Sequence, residues 1–292
     1  MVPGTGSYPV VKRVRLPPSR RGRLTDAYRR AVRAIPPSLD PTVVSEIDDR
    51  LTAVASDHGV RIPWAIESGS RAWGFPSPDS DYDCRFIFVR SRDRYLSLWP
   101  ERDVIETPLD AVFDVNGWDL AKTVRLITKG NATAIEWLRS PIIYSGDPGF
   151  RDRLLALALA TAERTSIGRH YRHVALQQRS GAPSLKRFFY VLRPAAALRW
   201  LAVHPDEAVP PMDLPTLLAE GDVSAGIRDA ARDLIALKAQ TRELGSGEPP
   251  EILQRFVTEQ LDDAERFETR TPTRDGAESR TLADEFFLAE VG

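Results

Sequence analysis

Apolar residues recur with two different spacings in the first part of the chain, which predicts a helix followed by strands. Asp40-Pro41 is a typical helix start, since Asp caps free N–H groups and Pro fits the first turn. Compact apolar runs at 62–66, 86–89 and 109–115 indicate strands. The residues that recur at helical spacing before His58-Gly59, which ends the helix, are Val43, Val44, Ile47, Leu51 and Val54.

The spacing becomes helical after residue 116. Gly117 is expected to break the strand at 109–115, and Asp119 to cap a helix with Leu120, Val124 and Ile127 on its apolar face. Pro194 is expected to bend or end a helix near Arg193. The remaining predictions are a helical stretch at 132–138, a short strand or extended segment at 140–144, and helices at 154–159, 185–202, 214–218, 227–237 and 252–261.

These elements predict a chain in two parts. Residues 24–147 form an α/β core, beginning with a short helix at 24–34, and residues 148–266 form an all-helical domain. Residues 1–23 are rich in Pro, Gly and basic side chains, which predicts a disordered tail. An arm that contacts RNA phosphates is the alternative for this segment. Residues 267–292 are mostly polar and acidic, and we expect a tail with a short docking helix.

The composition narrows the classes of function. The chain has 292 residues with 40 basic and 41 acidic side chains, so any site for nucleic acid must be a local patch. The single cysteine, Cys84, excludes an internal disulfide framework and a multi-cysteine zinc site, and we interpret it as a small strand residue. No apolar run approaches the ~20 residues that span a membrane, and no secretory signal is evident. A cytoplasmic protein with no membrane partner is expected.

The candidate chemistry lies in residues 67–86, between two predicted strands. Gly69-Ser70 forms a small-residue turn, where the backbone can approach a ligand and free N–H groups can meet phosphate oxygens. Asp81 and Asp83 are two residues apart at the entry of a strand, so alternation points both carboxylates to one face. Adjacent carboxylates repel unless a cation neutralises them, and Mg²⁺ prefers such oxygen ligands. The alternative for each feature alone is a solvated loop or an ordinary turn.

The order of these features resembles the DNA polymerase β nucleotidyltransferase superfamily, in which Gly-Ser is followed by Asp-x-Asp entering a strand. Within it, the chain resembles the RlaP-type predicted nucleotidyltransferases associated with RNA repair, over about residues 62–261. The resemblance implies an α+β core with a mixed sheet, followed by an all-helical domain. It is carried by three stretches in order: GSRAWGFPSPDSDYDCRFIFV, GWDLAKTVRLITKGNATAIEWLRSPIIY and LKRFFYVLRPAAALRWL.

The resemblance implies a third carboxylate from a neighbouring strand, which completes the metal site with Asp81 and Asp83. Asp114 is the first choice, because it ends an apolar run shortly before a helix. Asp110 is the main competitor, and Glu106 is a more distant one. The three catalytic and metal-binding residues expected are therefore Asp81, Asp83 and Asp114.

The resemblance also suggests which residues bind the nucleotide. Gly69, Ser70 and Arg71 are expected to grip the β- and γ-phosphates. Lys186, Tyr190 and Arg193 share one helix face, which would suit a triphosphate opposite the metal; the alternative is a solvated face. Glu136 is interpreted as a solvated or structurally hydrogen-bonded residue. His170 and His173 are interpreted as structural, with a place in the cleft lining as an option.

The expected reaction is transfer of a nucleoside monophosphate from an NTP, with ATP favoured, to an acceptor hydroxyl. The resemblance implies an RNA or tRNA end as acceptor, and two Mg²⁺ ions for which Mn²⁺ could substitute. Nucleotidylation of a protein or small molecule is the enzymatic alternative. A nucleotide-binding regulatory protein without catalysis is the alternative of another class, and the costly carboxylate pair argues against it.

Overall fold

The computed structural model of the protein describes residues 32–108, 110, 112–180, 184–240, 247–269 and 276–292. The tail expected at 1–23 and most of the helix expected at 24–34 lie outside the described residues.

The first part of the chain alternates short helices and strands, and its first helix follows the predicted capping chemistry. The Asp40 side chain accepts the Thr42 N–H at 2.8 Å, and Gly59 ends the helix in the left-handed conformation. In chain order the elements are α1 Pro41–His58, β1 Arg61–Glu67, α2 Gly69–Ala72, β2 Tyr82–Val89, α3 Arg92–Tyr95, β3 Val104–Glu106, β4 Phe113–Asp119, α4 Leu120–Thr128, α5 Ala132–Glu136 and β5 Ile143–Gly146.

Within the described residues, the strands form one mixed sheet in the order β3-β4-β2-β1-β5. β2 and β4 pair in parallel, whereas β1 pairs antiparallel with both β2 and β5, and β3 antiparallel with β4. The expected α+β class with a mixed sheet is confirmed. The parallel pair matters most for function, because it aligns the starts of two strands that are distant in sequence.

The rest of the chain is helical. It comprises α6 Pro148–Thr161, α7 Arg164–Arg179, α8 Leu185–Val203, α9 Leu214–Glu220, α10 Ala225–Gln240, α11 Glu251–Asp263, α12 Arg266–Thr269 and α13 Gly276–Val291. α7 and α8 pack closely on each other, and α13 packs on α4 and α6. No helix of the described residues is both long and apolar enough to cross a bilayer.

The two faces of the sheet bury different cores. One face packs Ala65 and Phe86 against Ile47 and Leu51 of α1. The other face belongs to a larger core that joins β1 and β2 to α4, α6, α7 and α8. Because this core continues from the sheet into the helices, the sheet and α8 hold fixed positions on either side of a cleft. The division of the chain at residue 147 into two domains stays a proposal.

Gly117 was expected to break its strand and Pro194 to bend or end its helix; neither element ends there, and packing explains both continuations. Gly117 does not break its strand, since β4 continues to Asp119. A Cβ at Gly117 would come within 2.3 Å of the Phe86 ring, so the glycine makes room for a neighbouring side chain. Pro194 does not end its helix, because α8 runs on to Val203. Its neighbours Ala195 and Ala196 are fully buried, and that packing offsets the cost of an interior proline, about 3 kcal/mol.

Candidate active site

A tight turn after β1 rests directly on the carboxylate of Asp83. The Ser68 N–H donates to the Asp83 carbonyl at 2.8 Å, which joins the turn to β2. Gly69 follows with φ +58°, and a Cβ there would lie 1.7 Å from Asp83 Oδ2. Only glycine fits at this position, because any side chain would displace the carboxylate. The Gly69–Ser70 turn and the acidic strand therefore form one site, as the sequence suggested.

Asp83 and Asp114 lie side by side on neighbouring strands. β2 and β4 are parallel, with Asp83 and Asp114 as direct partners in the register. Arg85 joins their carboxylates, since its Nη2 donates to Asp83 Oδ1 at 2.8 Å and to Asp114 Oδ2 at 2.6 Å. Asn116 Nδ2 donates to the other oxygen of Asp114 at 3.0 Å. Arg85 was not identified from the sequence, because one of its two carboxylate partners, Asp114, lies on another strand.

Asp81 comes from the loop in front of β2 rather than from the strand. β2 begins at Tyr82, so the alternation argument applies to Asp83 and Arg85 but not to Asp81. Arg71 holds this loop, donating to the carbonyls of Asp81 at 3.1 Å and Ser80 at 2.5 Å. Its guanidinium lies 3.8 Å from the Tyr82 ring centre. The structure therefore places Arg71 where it supports the position of Asp81.

Ser70 also braces the loop that carries Asp81. The Ser70 hydroxyl donates to Ser80 Oγ at 2.9 Å, and the Ser77 N–H donates to the same oxygen at 2.9 Å. Ser68 and Gly69 line the cleft, whereas the Ser70 hydroxyl is engaged by the loop. Of the three residues expected to grip phosphate, Gly69 is the one that lines this cleft, and the contact itself stays a prediction.

The two other candidates for the third carboxylate lie elsewhere. Asp110 sits in the loop before β4, where it accepts the Val112 and Phe113 N–H groups at 2.8 and 2.7 Å. Its other oxygen pairs with Arg50. Glu106 is exposed on β3 and pairs with Arg102. The structure thus brings Asp114, rather than either competitor, next to Asp83.

The pKa of Asp83 depends on the charges around it at this edge of the sheet. Burial raises the pKa of Asp83, Arg85 opposes that rise, and the nearby charges of Asp81 and Asp114 add to it. Two carboxylates, Asp83 and Asp114, share the Arg85 guanidinium, which leaves an excess of negative charge that a cation would relieve. Carboxylate oxygens are the donors that Mg²⁺ prefers, so the residues around Asp81 and Asp83 fit such an ion.

The structure does not contain a preformed metal site with three ligands among the described residues. In the part of the chain that the structure describes, no group of three or more His, Cys, Asp or Glu side chains is arranged to hold a metal ion. The gap between Asp83 and Asp114 is filled by Arg85 Nη2. A second ion shared by those two carboxylates does not fit beside this guanidinium.

The sheet edge forms one wall of a cleft of about 400 Å³. α8 supplies part of the opposite wall through Tyr190 and Arg193, both of which line the cleft. Tyr190 packs edge-on against Trp73 with ring centres 5.6 Å apart. Burial raises the pKa of Tyr190, and the charges of Asp83 and Asp81 add to the rise, which indicates that the phenol faces the acidic wall. Lys186 is exposed on the same helix.

Sequence comparison agrees with this geometry. The sequence model of RlaP, the RNA repair pathway DNA polymerase beta family, matches residues 43–289. The chain belongs to this family. YcgL, an uncharacterized protein of Bacillus subtilis (strain 168), is 35% identical over 221 residues, which make up 74% of this chain and 84% of YcgL.

The solved structures that match this family member include a distant one. A nucleotidyltransferase-like protein from Exiguobacterium sibiricum 255-15 is 13% identical, with 84% of this chain and 79% of that chain covered and a TM-score of 0.29. A score this low supports no argument about the site. The assignment to a polymerase β-like nucleotidyltransferase family rests on the family match.

The helical wall of this family member contains a buried ion pair. Arg193 pairs with Glu136, and its Nε donates to the Met212 carbonyl at 2.8 Å. The Tyr171 hydroxyl donates to Glu136 Oε1 at 2.6 Å. The interpretation of Glu136 as structurally hydrogen-bonded is confirmed. Arg193 also lies over the Trp73 ring at 4.5 Å, so its charge is engaged within the wall.

His170 lines the cleft, as one of the two options for it suggested, whereas His173 is exposed. Burial lowers the pKa of His170, which favours the neutral ring. Cys84 is fully buried, and burial raises the pKa of its thiol well above the usual range. An inert strand residue, rather than a nucleophile, fits that environment.

Sequence reasoning missed Glu67, the last residue of β1, whose carboxyl group accepts a hydrogen bond from the Asp83 backbone. Glu67 is fully buried and accepts the Tyr144 hydroxyl at 2.6 Å and the Asp83 N–H at 3.0 Å. Burial raises the pKa of Glu67 to about 8. The available signal was a Glu that ends an apolar strand immediately before Ser68-Gly69.

Lys238 of α10 was also missed. It is buried, and among the described residues its Nζ has no hydrogen-bond partner. Nζ lies 4.7 Å from the Phe75 ring centre and 5.2 Å from that of Phe189. Phe75 precedes the acidic strand and Phe189 belongs to α8, so Lys238 sits where the two walls meet.

Proposed function

We propose that the protein transfers a nucleoside monophosphate from an NTP to an acceptor hydroxyl, with Mg²⁺ as cofactor and an RNA end as acceptor. One observation carries the proposal: the parallel register of β2 and β4 sets Asp83 beside Asp114, under the Gly69 turn and at the edge of a cleft. The family description supports both the reaction class and the link to RNA.

Asp81 and Asp83 are the residues that would hold Mg²⁺, because both line the cleft and their neighbouring charges would be neutralised by a cation. A bound Mg²⁺ would supply charge neutralisation for the triphosphate and for pyrophosphate as it leaves. We propose ATP as the first nucleotide to test, with Mn²⁺ as a substitute metal. We assign to Asp114 the hydrogen bond to the acceptor hydroxyl, since Asn116 and Arg85 fix the orientation of its carboxylate.

The two walls divide the task of positioning. On the sheet wall, Ser68 and Gly69 line the cleft; the Ser68 N–H is already bonded to the Asp83 carbonyl, so the Gly69 N–H is the donor that we propose for phosphate oxygens. On the helical wall, Tyr190 presents a partly buried phenol toward the carboxylates. Holding both reactants between rigid walls aligns the hydroxyl with the α-phosphorus, which is where most of the rate of such a transfer arises.

The experiment uses each α-labelled NTP in turn with Mg²⁺, and measures label on total RNA and on protein. Asp114→Asn is compared with Asp110→Asn, a matched control that removes a carboxylate outside the site. Label on RNA that is lost only in Asp114→Asn supports the proposal. Label on protein would replace RNA with a protein acceptor. NTP binding without label on RNA or protein would contradict an RNA acceptor and would leave a small-molecule acceptor or the regulatory alternative.

A further inference from the structure

The acidic site contains its own cation. Arg85 follows Asp83 by two residues on β2, so both side chains point to the same face of the sheet. Its side chain is only 15% exposed, and Nη2 lies between Asp83 Oδ1 at 2.8 Å and Asp114 Oδ2 at 2.6 Å. Within the described residues, these are the carboxylates that the β2–β4 register brings together.

The guanidinium is fixed by more than these two bonds. Nη1 donates to the Asp114 carbonyl at 2.6 Å and to the Cys84 carbonyl at 3.1 Å. A planar guanidinium can satisfy several oxygens at fixed angles, which an ammonium group cannot do. The contacts come from both strands of the parallel pair, so Arg85 is held by backbone as well as by side chains.

A shared metal ion and this guanidinium exclude each other. Mg²⁺ bound by both Asp83 and Asp114 would need their oxygens at about 2.0–2.1 Å, converging on the space that Nη2 fills. Two cations at that point would also repel strongly in a partly buried site. One positive charge can therefore occupy the gap, and the chain already provides it.

We propose that Arg85 replaces the second metal ion, so that the site binds a single divalent cation on the Asp81–Asp83 side. This inference rests on the proposed function in taking a divalent ion to bind there. Arg85 would neutralise Asp114 and hold it in place for the acceptor hydroxyl. The two-ion site expected from the sequence is thereby reduced to one ion and one guanidinium.

The test counts Mn²⁺ ions bound per chain, from the loss of the free-ion signal in electron paramagnetic resonance during titration with Mn²⁺ alone. Wild type is expected to bind one ion, and Arg85→Met two, because the variant opens the gap between Asp83 and Asp114. Arg85→Lys keeps the charge and is expected to bind one ion. Arg102→Met, which removes an exposed arginine paired with Glu106, is the matched control and should also bind one.

The outcomes separate this inference from the proposed function. Two ions in wild type would overturn the role of Arg85 and leave a metal-dependent transfer intact. One ion in a folded Arg85→Met would also overturn it, since removing the guanidinium would have opened no site. No ion in wild type would overturn both. The wild-type count can overturn the inference even if Arg85→Met does not fold.

Discussion

Each wall of the cleft contains an arginine paired with acidic side chains, but the ratio of positive to negative charges differs between the walls. On the helical wall, Arg193 and Glu136 form a one-to-one pair, both 7% exposed, completed by Tyr171 and a backbone carbonyl. On the sheet wall, Arg85 faces Asp83 and Asp114, which are 18% and 32% exposed, with Asp81 close by. A balanced, buried pair holds a wall together, whereas an unbalanced, accessible cluster can bind and activate a substrate.

This difference changes the role that the sequence suggested for Arg193. An arginine whose charge is matched by Glu136 has less positive field to offer a triphosphate than an unmatched one. The helical wall therefore contributes shape and the Tyr190 phenol, and the sheet wall contributes the charge on which the proposed catalysis depends. The contact between Arg193 and phosphate stays a prediction, and the variants below compare the two walls.

The largest expected effect is on catalysis, at the sheet wall. Asp83→Asn should lower nucleotidyl transfer about a hundredfold or more, because it removes a charge on which cation binding depends. The same substitution should cost little stability, since burial and its acidic neighbours already disfavour the charged form of Asp83. Steady-state rates and urea unfolding on one preparation provide the check. Glu136→Gln is the counterpart, and a comparable loss of rate there would erase the distinction between the walls.

The next effect is on stability, at the helical wall. Glu136→Ala leaves Arg193 buried without its partner, which typically costs about 3–5 kcal/mol of unfolding free energy. Glu136→Gln keeps an oxygen for the Tyr171 hydroxyl and should cost less. Chemical denaturation measures both. A loss below about 1 kcal/mol for the alanine variant would show that the pair does not hold this wall.

The free energy of unfolding is expected to depend on pH through Glu67, the buried last residue of β1. Its pKa rises from 4.5 to about 8 in the folded protein, so the folded state holds a proton that the unfolded state releases. The unfolding free energy should therefore fall as the pH rises from about 4.5 to about 8, by up to a few kcal/mol. Glu67→Gln should flatten this dependence, as seen by urea unfolding at several pH values. An unchanged slope would assign the effect to another group.

The smallest effect concerns Lys238, at the junction of the walls. Burial lowers the pKa of Lys238 to about 8, which reflects the cost of a cation without a hydrogen-bond partner among the described residues. Lys238→Met should raise the unfolding free energy by about 1 kcal/mol, because it keeps the packing on Phe75 and Phe189 and removes the charge. Thermal unfolding near pH 7 is sufficient. A clear loss of stability would indicate that the cation–π contacts outweigh desolvation.

Local signals predicted the parts of the fold that depend on neighbours in sequence. Asp119 caps α4 through the Ala121 N–H at 2.7 Å, as its place before Leu120 suggested. Asp83 and the Gly69 turn were found for the same reason, since the features that identify them lie within one stretch. The acidic pair and the turn could thus be predicted before any contact was known.

Features that depend on another strand or helix could not be predicted in this way. Gly117 is required by Phe86 across the sheet, and Pro194 is tolerated because its helix is buried. Arg85 looks like an ordinary strand residue until the parallel register brings Asp114 beside Asp83. Secondary-structure propensity predicts none of these features, because each is decided by tertiary packing.

The most direct test of a nucleotidyl transfer at the sheet wall compares α-labelled with γ-labelled ATP, in the presence of Mg²⁺ and an RNA with a free hydroxyl end. The account predicts that the RNA acquires the α label while the γ label leaves as pyrophosphate. Neither labelled RNA nor labelled pyrophosphate should form with Asp83→Asn. Transfer of the γ label to the RNA would make the reaction a phosphoryl transfer and would contradict the account.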